Sequence, residues 1–245
     1  MLRPRITPCL LVHKAGLVKT VGFKAPKYVG DPINAVKIFN EKEADELIVL
    51  DIDATVNNAE PDYRMIANLA AECRMPLCYG GGIKTAKQAK QIISLGVEKV
   101  AISSAAVENP ELITQIADEI GRQSVVVILD VKKRIFSSDY DVFTKNGRTN
   151  TKRSVFELAA QVQKLGAGEL VINSIDKDGA MGGYDLALAE KIRRAVNIPI
   201  TILGGAGALG DLEALIKACG VIGASAGSLF VFKGVYKAVL INYPT

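Results

Sequence analysis

The segment EADELIVLDID, residues 43–53, decides the fold because it occurs twice. It returns as AGELVINSID at residues 167–176, which aligns Glu169 with Glu46. The same alignment carries MPLCYGGG (75–82) onto IPITILGG (198–205). A single long period that is repeated twice is typical of a barrel of two similar halves, whereas periods of about 20 to 50 residues indicate solenoids.

Short β-branched segments alternate with amphipathic stretches of helical period along almost the whole chain. This order predicts parallel strands joined by crossover helices, with helices that include residues 31–44 and 152–168. The predicted strands are residues 6–12, 46–52, 76–80, 99–103, 124–130, 169–174, 198–203 and 221–225. Eight such units predict one (β/α)8 barrel domain, of the α/β class, over residues 1–245.

Two connections are longer than the others: residues 13–30 after the first strand and residues 131–151 after the fifth. Both leave the carboxyl ends of strands, where the loops of a barrel form active sites. The second connection contains Asn146-Gly147 between alternating segments, which predicts a small hairpin.

The composition narrows the classes of partner. Thirty basic and 26 acidic residues give a net charge of +4, which does not indicate a nucleic-acid surface. No apolar run approaches the ~18 residues of a membrane span, and the four cysteines show no C-x-x-C spacing. We therefore expect a reduced, cytoplasmic protein without membrane contact. His13 is the only histidine, so no histidine triad or histidine metal cluster can be built around it, and we assign it no role. We expect neither a metal nor a cofactor.

Glycine turns and hydroxyl side chains indicate two symmetric phosphate sites at the carboxyl ends of the strands. Glycines let the backbone approach a phosphate, and the following helix N-termini present free N–H groups. The alternative is that such glycines only form tight turns. The predicted phosphate-binding residues are Gly82, Ser103, Ser104, Gly179, Gly205, Gly227 and Ser228.

Carboxylates also stand at the ends of strands, and Asp130 is the best catalytic candidate among them. It closes the very apolar segment SVVVILD, where burial would raise the pKa of its carboxyl toward a value useful in acid–base catalysis. The other carboxylates at strand ends are Asp51, Asp53, Asp176 and Asp178. Asp51 and Asp176 could equally cap the turns that follow them. Lys19, in the long first connection, is a candidate to close over a polyanion, although an exposed loop lysine is more often solvated charge.

Four charged residues stand at the opposite end of the barrel, where strands one, two, four and six begin. They are Arg5, Glu46, Lys99 and Glu169. In an arbitrary barrel they would form a salt-bridged closure of the bottom face.

Taken together, these motifs resemble the cyclase subunit of imidazole glycerol phosphate synthase over nearly the whole chain. The segments that carry the resemblance are GDP (30–32), LDIDA (50–54), YGGGI (79–83), GVEKVAISSAAVENPELI (96–113), DGAMGGYD (178–185), LGGAGALGDL (203–212) and GSLF (227–230). The resemblance implies that ammonia from a partner glutaminase enters through a charged gate of Arg5, Glu46, Lys99 and Glu169. It also places the family's second catalytic aspartate at Asp130 and its loop lysine at Lys19, and its phosphate sites fall on the glycines and serines named above.

One departure from the family is serious. The family's first catalytic aspartate falls on Leu11, in the segment CLLVH. Because leucine can neither donate nor accept a proton, ring closure that relies on two carboxylates should lose orders of magnitude in rate. Asn173, Leu203 and Ala180 also replace residues that are usually Thr, Ser and Thr in the family.

An intact gate beside a changed pocket resembles a divergent branch of the family found in bacterial surface-polysaccharide pathways. There a cyclase-like barrel, a glutaminase and a third amidating protein install nitrogen on a sugar. Three hypotheses follow: an ammonia-conducting amidotransferase subunit that acts on a phosphorylated glycan precursor, an authentic cyclase of histidine biosynthesis, or a non-catalytic scaffold for the other two proteins. All three place a glutaminase on the face where the strands begin.

Overall fold

The computed structural model describes residues 3–135 and 137–244. Its strands are β1 (Arg5–His13), β2 (Gly16–Val21), β3 (Lys24–Gly30), β4 (Leu47–Asp51), β5 (Leu77–Gly80), β6 (Lys99–Ile102), β7 (Val125–Lys133), β8 (Tyr140–Thr144), β9 (Thr149–Ser154), β10 (Glu169–Ser174), β11 (Ile200–Leu203), β12 (Gly223–Ala226), β13 (Phe232–Lys233) and β14 (Ala238–Val239). Its α-helices are α1 (Pro32–Glu41), α2 (Tyr63–Glu72), α3 (Ala86–Ser94), α4 (Ser104–Glu108), α5 (Glu111–Ile120), α6 (Val155–Lys164), α7 (Leu186–Ala195), α8 (Leu209–Cys219) and α9 (Ser228–Val231).

Eight parallel strands close into a barrel. Around the barrel their order is β1, β4, β5, β6, β7, β10, β11 and β12. The pairing of β7 with β10 and that of β12 with β1 close the circle. Helices alternate with these strands, so the fold is the predicted (β/α)8 barrel. We call the end where the strands begin the floor, and the end where they finish the mouth.

The alternation of residues along each strand separates two apolar cores. Outward residues, such as Leu10 and Val12 of β1, pack with the helices in the larger core. Inward residues form a smaller core inside the barrel, made of Cys9, Ile48, Cys78, Ala101, Val126, Ile128, Val171 and Leu203. On β1 the inward face therefore carries Arg5, Thr7, Cys9 and Leu11, in order from floor to mouth.

The connection over residues 13–30 differs from the open loop that its length predicts. β2 pairs with the end of β1, and β3 pairs with β2, so the segment is an antiparallel extension of the barrel wall. The prediction missed it because no turn dipeptide of the Asn-Gly kind marks the reversal at Gly22 and Phe23.

The second long connection contains the predicted hairpin, formed by β8 and β9. Lys145, Asn146 and Gly147 form its turn with positive φ values of 54°, 55° and 71°. Because β9 extends to Ser154, the helix that was predicted to begin at residue 152 begins at Val155. Within the two described ranges, no helix is both long and apolar enough to cross a membrane.

Candidate functional site

One cavity opens at the mouth and brings most of the predicted site residues together. Asp130, Lys19 and all the predicted phosphate-binding residues border it, together with Leu11. The phosphate candidates come from the turns after β5, β6, β10, β11 and β12, so they surround the cavity.

Asp130 stands at the mouth end of β7 with its carboxylate held by two neighbours. Asn173 Nδ2 donates to its Oδ1 at 2.9 Å, and Ser103 Oγ donates to its Oδ2 at 3.4 Å. Burial raises the pKa of Asp130 to about 7, although both hydrogen bonds favour the charged form and oppose the shift. A carboxyl with this pKa can both accept and donate a proton near neutral pH.

Leu11 contributes an apolar side chain where the resemblance places a carboxylate. Its Cα pairs with that of Leu50 across β1 and β4, and both side chains pack on the core inside the barrel. Leu203 of β11 joins them in the cavity wall. Because β1 carries no acidic residue, Asp130 faces no carboxylate from that strand.

Two further carboxylates line the cavity, and each accepts hydrogen bonds that hold a nearby turn in place. Asp51 Oδ1 accepts hydrogen bonds from the N–H groups of Asp53 and Ala54, at 2.8 and 3.1 Å, so it caps a turn. Asp178 Oδ2 accepts from Thr20 Oγ1 at 2.7 Å and from the N–H of Phe23 at 2.9 Å. Asp178 therefore fixes the tip of the β2–β3 hairpin over the mouth.

Lys19, predicted as a lysine of the first connection that closes over a polyanion, is buried on a strand, so the alternative of a solvated loop lysine is wrong. It lies on β2 with 6% of its surface exposed, and its Nζ donates to the carbonyl oxygen of Cys9 at 2.6 Å. Burial lowers the pKa of Lys19. A Cβ placed on Gly227 would lie 2.5 Å from Nζ, so the amine stands directly against one predicted phosphate turn.

The turns that surround the cavity leave no room for side chains at three of the predicted glycines. Gly179 has a φ of +65°, and a Cβ there would lie 2.2 Å from the carbonyl oxygen of Thr20. Gly82 has a φ of +74°, and a Cβ there would lie 2.9 Å from the carbonyl oxygen of Ala59. Gly205 has a φ of +115°, and a Cβ there would lie 2.3 Å from the carbonyl oxygen of Gly183. Glycine is therefore required at all three positions for backbone reasons, and it also keeps the cavity open.

The four charged residues at the floor form a closed ring, which we call the floor ring. Arg5 bridges Glu46 at 2.6 Å and Glu169 at 2.8 Å, and Lys99 bridges the same two carboxylates at 2.5 and 2.9 Å. Thr201 Oγ1 adds a hydrogen bond to Glu169 at 2.6 Å.

Burial and ion pairing compete in the floor ring, and pairing prevails at three of its members. Burial alone would raise the pKa of Glu169, but Lys99 and Arg5 lower it to about 2. Burial alone would lower the pKa values of Lys99 and Arg5, but the two carboxylates raise both. Glu169 therefore stays ionised, and the ring holds two positive groups beside it.

A comparison with protein families decides the assignment. A family model described as "Histidine biosynthesis protein" matches residues 5–237. The chain belongs to this family.

Relatives within the family cover most or all of the chain. A Vibrio vulnificus protein that carries the provisional name imidazole glycerol phosphate synthase subunit hisF3 is 60% identical over 100% of this chain and 94% of its own length. A Pseudomonas aeruginosa protein provisionally named subunit hisF2 of the same synthase is 54% identical over 100% and 97%. The imidazole glycerol phosphate synthase subunit HisF of Lactococcus lactis subsp. cremoris is 43% identical over 86% and 82%.

Three residues singled out in the sequence, His13, Asp53 and Asp176, do not border the cavity. Asp53 accepts a hydrogen bond at 2.8 Å from the N–H of Lys14 and contacts His13 Nδ1 at 2.7 Å. Asp176 accepts from the N–H of Lys133 at 2.9 Å. Neither carboxylate borders the cavity. Asp176 binds the backbone of β7 rather than that of the turn that follows it, so the capping alternative is wrong for this residue.

Two contacts that complete the site have no signal in the sequence. Thr201 of β11 donates a hydrogen bond to Glu169 at the start of the neighbouring strand β10. Asp178 accepts a hydrogen bond from Thr20 of the β2–β3 hairpin. Both contacts join residues far apart in the chain. The order of residues along the chain can reveal neither of them, although the glutamate repeat located the ring itself.

Proposed function

We propose that this chain is the barrel subunit of a glutamine amidotransferase, which conducts ammonia from a partner glutaminase on the floor to a phosphate-bearing acceptor at the mouth. We further propose that the acceptor is a sugar precursor of a surface polysaccharide, and that a third, amidating protein takes part. The observation that carries the proposal is an intact floor ring combined with Leu11 opposite Asp130.

The barrel interior favours passage of a small neutral molecule. Above the floor ring its walls are apolar, and an ammonium ion would pay a large desolvation cost there whereas neutral ammonia would not. Thr7 is two positions above Arg5 on the inward face of β1, 1% exposed, and its Oγ1 has no hydrogen-bond partner among the described residues. This hydroxyl offers ammonia a hydrogen bond on its way to the mouth.

The mouth favours an acceptor with phosphate at more than one end. Glycine turns and serine hydroxyls surround the cavity, and the Lys19 amine is placed against the turn at Gly227. Asp130 is left as a single acid–base group of suitable pKa. One such group can move a proton to or from an amine, while ring closure in the manner of the cyclase would use two carboxylates.

The test combines the chain with its glutaminase and glutamine labelled with ¹⁵N in the side-chain amide, and offers a panel of sugar nucleotides and sugar phosphates. We expect ¹⁵N in an acceptor of this panel. Glu46→Gln should reduce the glutamine-driven reaction, while the reaction driven by ammonia added from solution continues. Full glutamine-driven activity after the charges of the floor ring are removed would contradict conduction through the barrel.

A second candidate is the cyclase of histidine biosynthesis, favoured by the 43% identity to the Lactococcus lactis subunit. It predicts that the chain complements a histidine auxotroph that lacks its cyclase. Failure to complement despite expression of folded protein would count against it.

A purely structural role beside the two partners predicts instead that Asp130→Asn leaves the assembled complex fully active.

A further inference from the structure

The floor ring is asymmetric in its hydrogen bonds, although the repeat makes its two carboxylates equivalent. Among the described residues, Glu46 accepts side-chain bonds from Arg5 and Lys99 only, at 2.6 and 2.5 Å. Glu169 accepts from the same two cations and also from Thr201 Oγ1, at 2.6 Å. One carboxylate therefore has a neutral donor that does not depend on the cations, and the other lacks such a donor.

The repeat locates the origin of this asymmetry in one pair of residues. The shift that carries Glu46 onto Glu169 also carries Cys78 onto Thr201. Each of the latter two lies on the strand next to its glutamate and pairs with the residue two positions beyond that glutamate. Burial raises the pKa of the Cys78 thiol well above its ordinary value, so the thiol stays neutral. A neutral thiol is a weak donor, whereas a hydroxyl is a strong one.

A space in the next strand accommodates the Thr201 hydroxyl. Thr201 is 1% exposed, and its Cα pairs with that of Gly223 on β12. A Cβ on Gly223 would lie 2.0 Å from Thr201 Oγ1. The hydroxyl therefore fills the space that a side chain at Gly223 would occupy, and a larger residue there would push it away from Glu169. Both neighbouring strands, β11 and β12, thus contribute to holding Glu169.

The two sides of the floor ring should differ in how easily they open. Passage of ammonia needs a gap between the cations and one of the carboxylates. If Arg5 and Lys99 withdraw from Glu46, that carboxylate has no other side-chain donor and can move. If they withdraw from Glu169, the bond from Thr201 still holds it, and hydrogen bonds to charged groups are stronger than those between neutral groups. Opening at Glu46 is therefore the easier of the two.

The free hydroxyl of Thr7 lies on the side that opens more easily. Cys9 of β1 pairs with Ile48 of β4, so the same register places Thr7 level with Glu46 on the inner wall. Thr7 Oγ1 has no hydrogen-bond partner in the part of the chain that the structure describes. Ammonia that passes Glu46 would therefore meet an unoccupied hydroxyl beside it.

We infer that Thr201 is a positioning residue of the floor ring: it fixes Glu169 as the stationary half, so that the ring opens by displacement of Glu46. This inference rests on the proposed function, because it takes the ring as the entry for ammonia. It assigns different roles to two glutamates that the repeat makes equivalent, and it attributes the difference to Thr201 and its counterpart Cys78.

The experiment follows the two carboxylates in the complex of the full-length chain with its glutaminase, by carbon-13 relaxation dispersion of labelled glutamate carboxyl groups. Exchange on the microsecond-to-millisecond timescale should occur at Glu46 and be absent at Glu169. Thr201→Val, which removes the hydroxyl and keeps the shape, should bring exchange to Glu169 as well. Thr201→Ser should restore the native pattern, and Cys78→Thr, which supplies the missing donor, should suppress the exchange at Glu46.

Transfer of ¹⁵N from glutamine adds a functional readout. With the acceptor that the panel described above identifies, Cys78→Thr should slow the glutamine-driven reaction roughly tenfold, because a bond to a charged group must then break at each opening. The reaction driven by ammonia added from solution should continue. Thr114→Val is the matched control, since Thr114 Oγ1 donates to the carbonyl oxygen of Leu165 at 2.9 Å outside the barrel, and it should change neither readout.

The outcomes separate this inference from the proposed function. Exchange at Glu169 alone, equal exchange at both carboxylates, or none at either in the native complex would overturn the inference. The native pattern in Thr201→Val would also overturn it, because Thr201 would then not be what holds Glu169. Failure of every acceptor to take up ¹⁵N, together with the expected exchange pattern, would contradict the proposed function and still support Glu46 as the moving half.

Discussion

Replacing Glu169 by glutamine should destabilise the protein, because it removes one of the two carboxylates that hold the floor ring together. The side chain is 7% exposed and accepts bonds from Arg5, Lys99 and Thr201. Glutamine keeps the shape and leaves two cations in the ring with only Glu46 to pair with. Breaking a buried ion pair from one side typically costs about 3–5 kcal/mol.

The pKa of Glu169 gives a second measure of the same effect. A shift from the ordinary value of 4.5 to about 2 corresponds to about 3 kcal/mol of stability at pH 7, at about 1.4 kcal/mol per pKa unit. Because the folded pKa is the lower one, this stability is present above pH 4.5 and is lost as the pH falls toward 2. Glu169→Gln should therefore lose about 3 kcal/mol at pH 7 and should lack this part of the acid destabilisation.

Urea unfolding followed by far-ultraviolet circular dichroism, at pH values from 7 down to 2.5, measures both effects; the chain has no tryptophan for a fluorescence assay. Glu190→Gln is the control, since Glu190 pairs with Arg194 only at the surface, at 3.4 Å, and should change stability by less than about 0.5 kcal/mol. Equal stability of Glu169→Gln and the native chain at pH 7, or the same acid dependence in both, would refute this description of the floor ring.

Two other predictions concern the mouth. Asn173→Ala removes a hydrogen bond to the ionised carboxyl of Asp130, so the pKa of Asp130 should rise above about 7 in a carbon-13 NMR titration, and an unchanged or lower value would contradict the assigned contact. Gly205→Ala should be destabilised by more than about 1 kcal/mol and should lose affinity for inorganic phosphate, because its Cβ would clash with the Gly183 carbonyl at positive φ. Gly210→Ala, in open space in the first turn of α8, should instead be neutral or stabilised by up to about 1 kcal/mol in the same thermal melts, and the reverse order of the two alanine variants would be inconsistent with these turns.

Local patterns in the sequence were sufficient to predict the barrel. Most of its strands are short β-branched runs that are buried on both faces, and the repeat of Glu46 at Glu169 placed two carboxylates at equivalent strand starts. The floor ring follows from that symmetry, because parallel strands that begin with charged residues bring them to one end. The residues that surround the mouth were predictable for the same reason at the other end.

The environment of individual side chains was less predictable. Lys19 was predicted as a loop lysine that closes over a polyanion, with solvated charge as the alternative. Nothing nearby in the sequence shows that β2 folds back on β1 and directs the amine toward Cys9. Asp176 and Asp178 stand two positions apart, yet only Asp178 borders the cavity. Such differences depend on the path of the turn after β10 and on contacts with distant segments. Neither is encoded in local composition.

The measurement that tests the central claim most directly is ammonia-dependent turnover of the ribonucleotide substrate of the imidazole glycerol phosphate synthase cyclase, by the purified native chain and by Leu11→Asp. The proposed function predicts turnover by the native chain that is orders of magnitude below that of a competent cyclase, and a gain in Leu11→Asp, where a second carboxylate faces Asp130. Turnover by the native chain at the rate of a competent cyclase would contradict it, and would assign the chain to histidine biosynthesis with Leu11 tolerated.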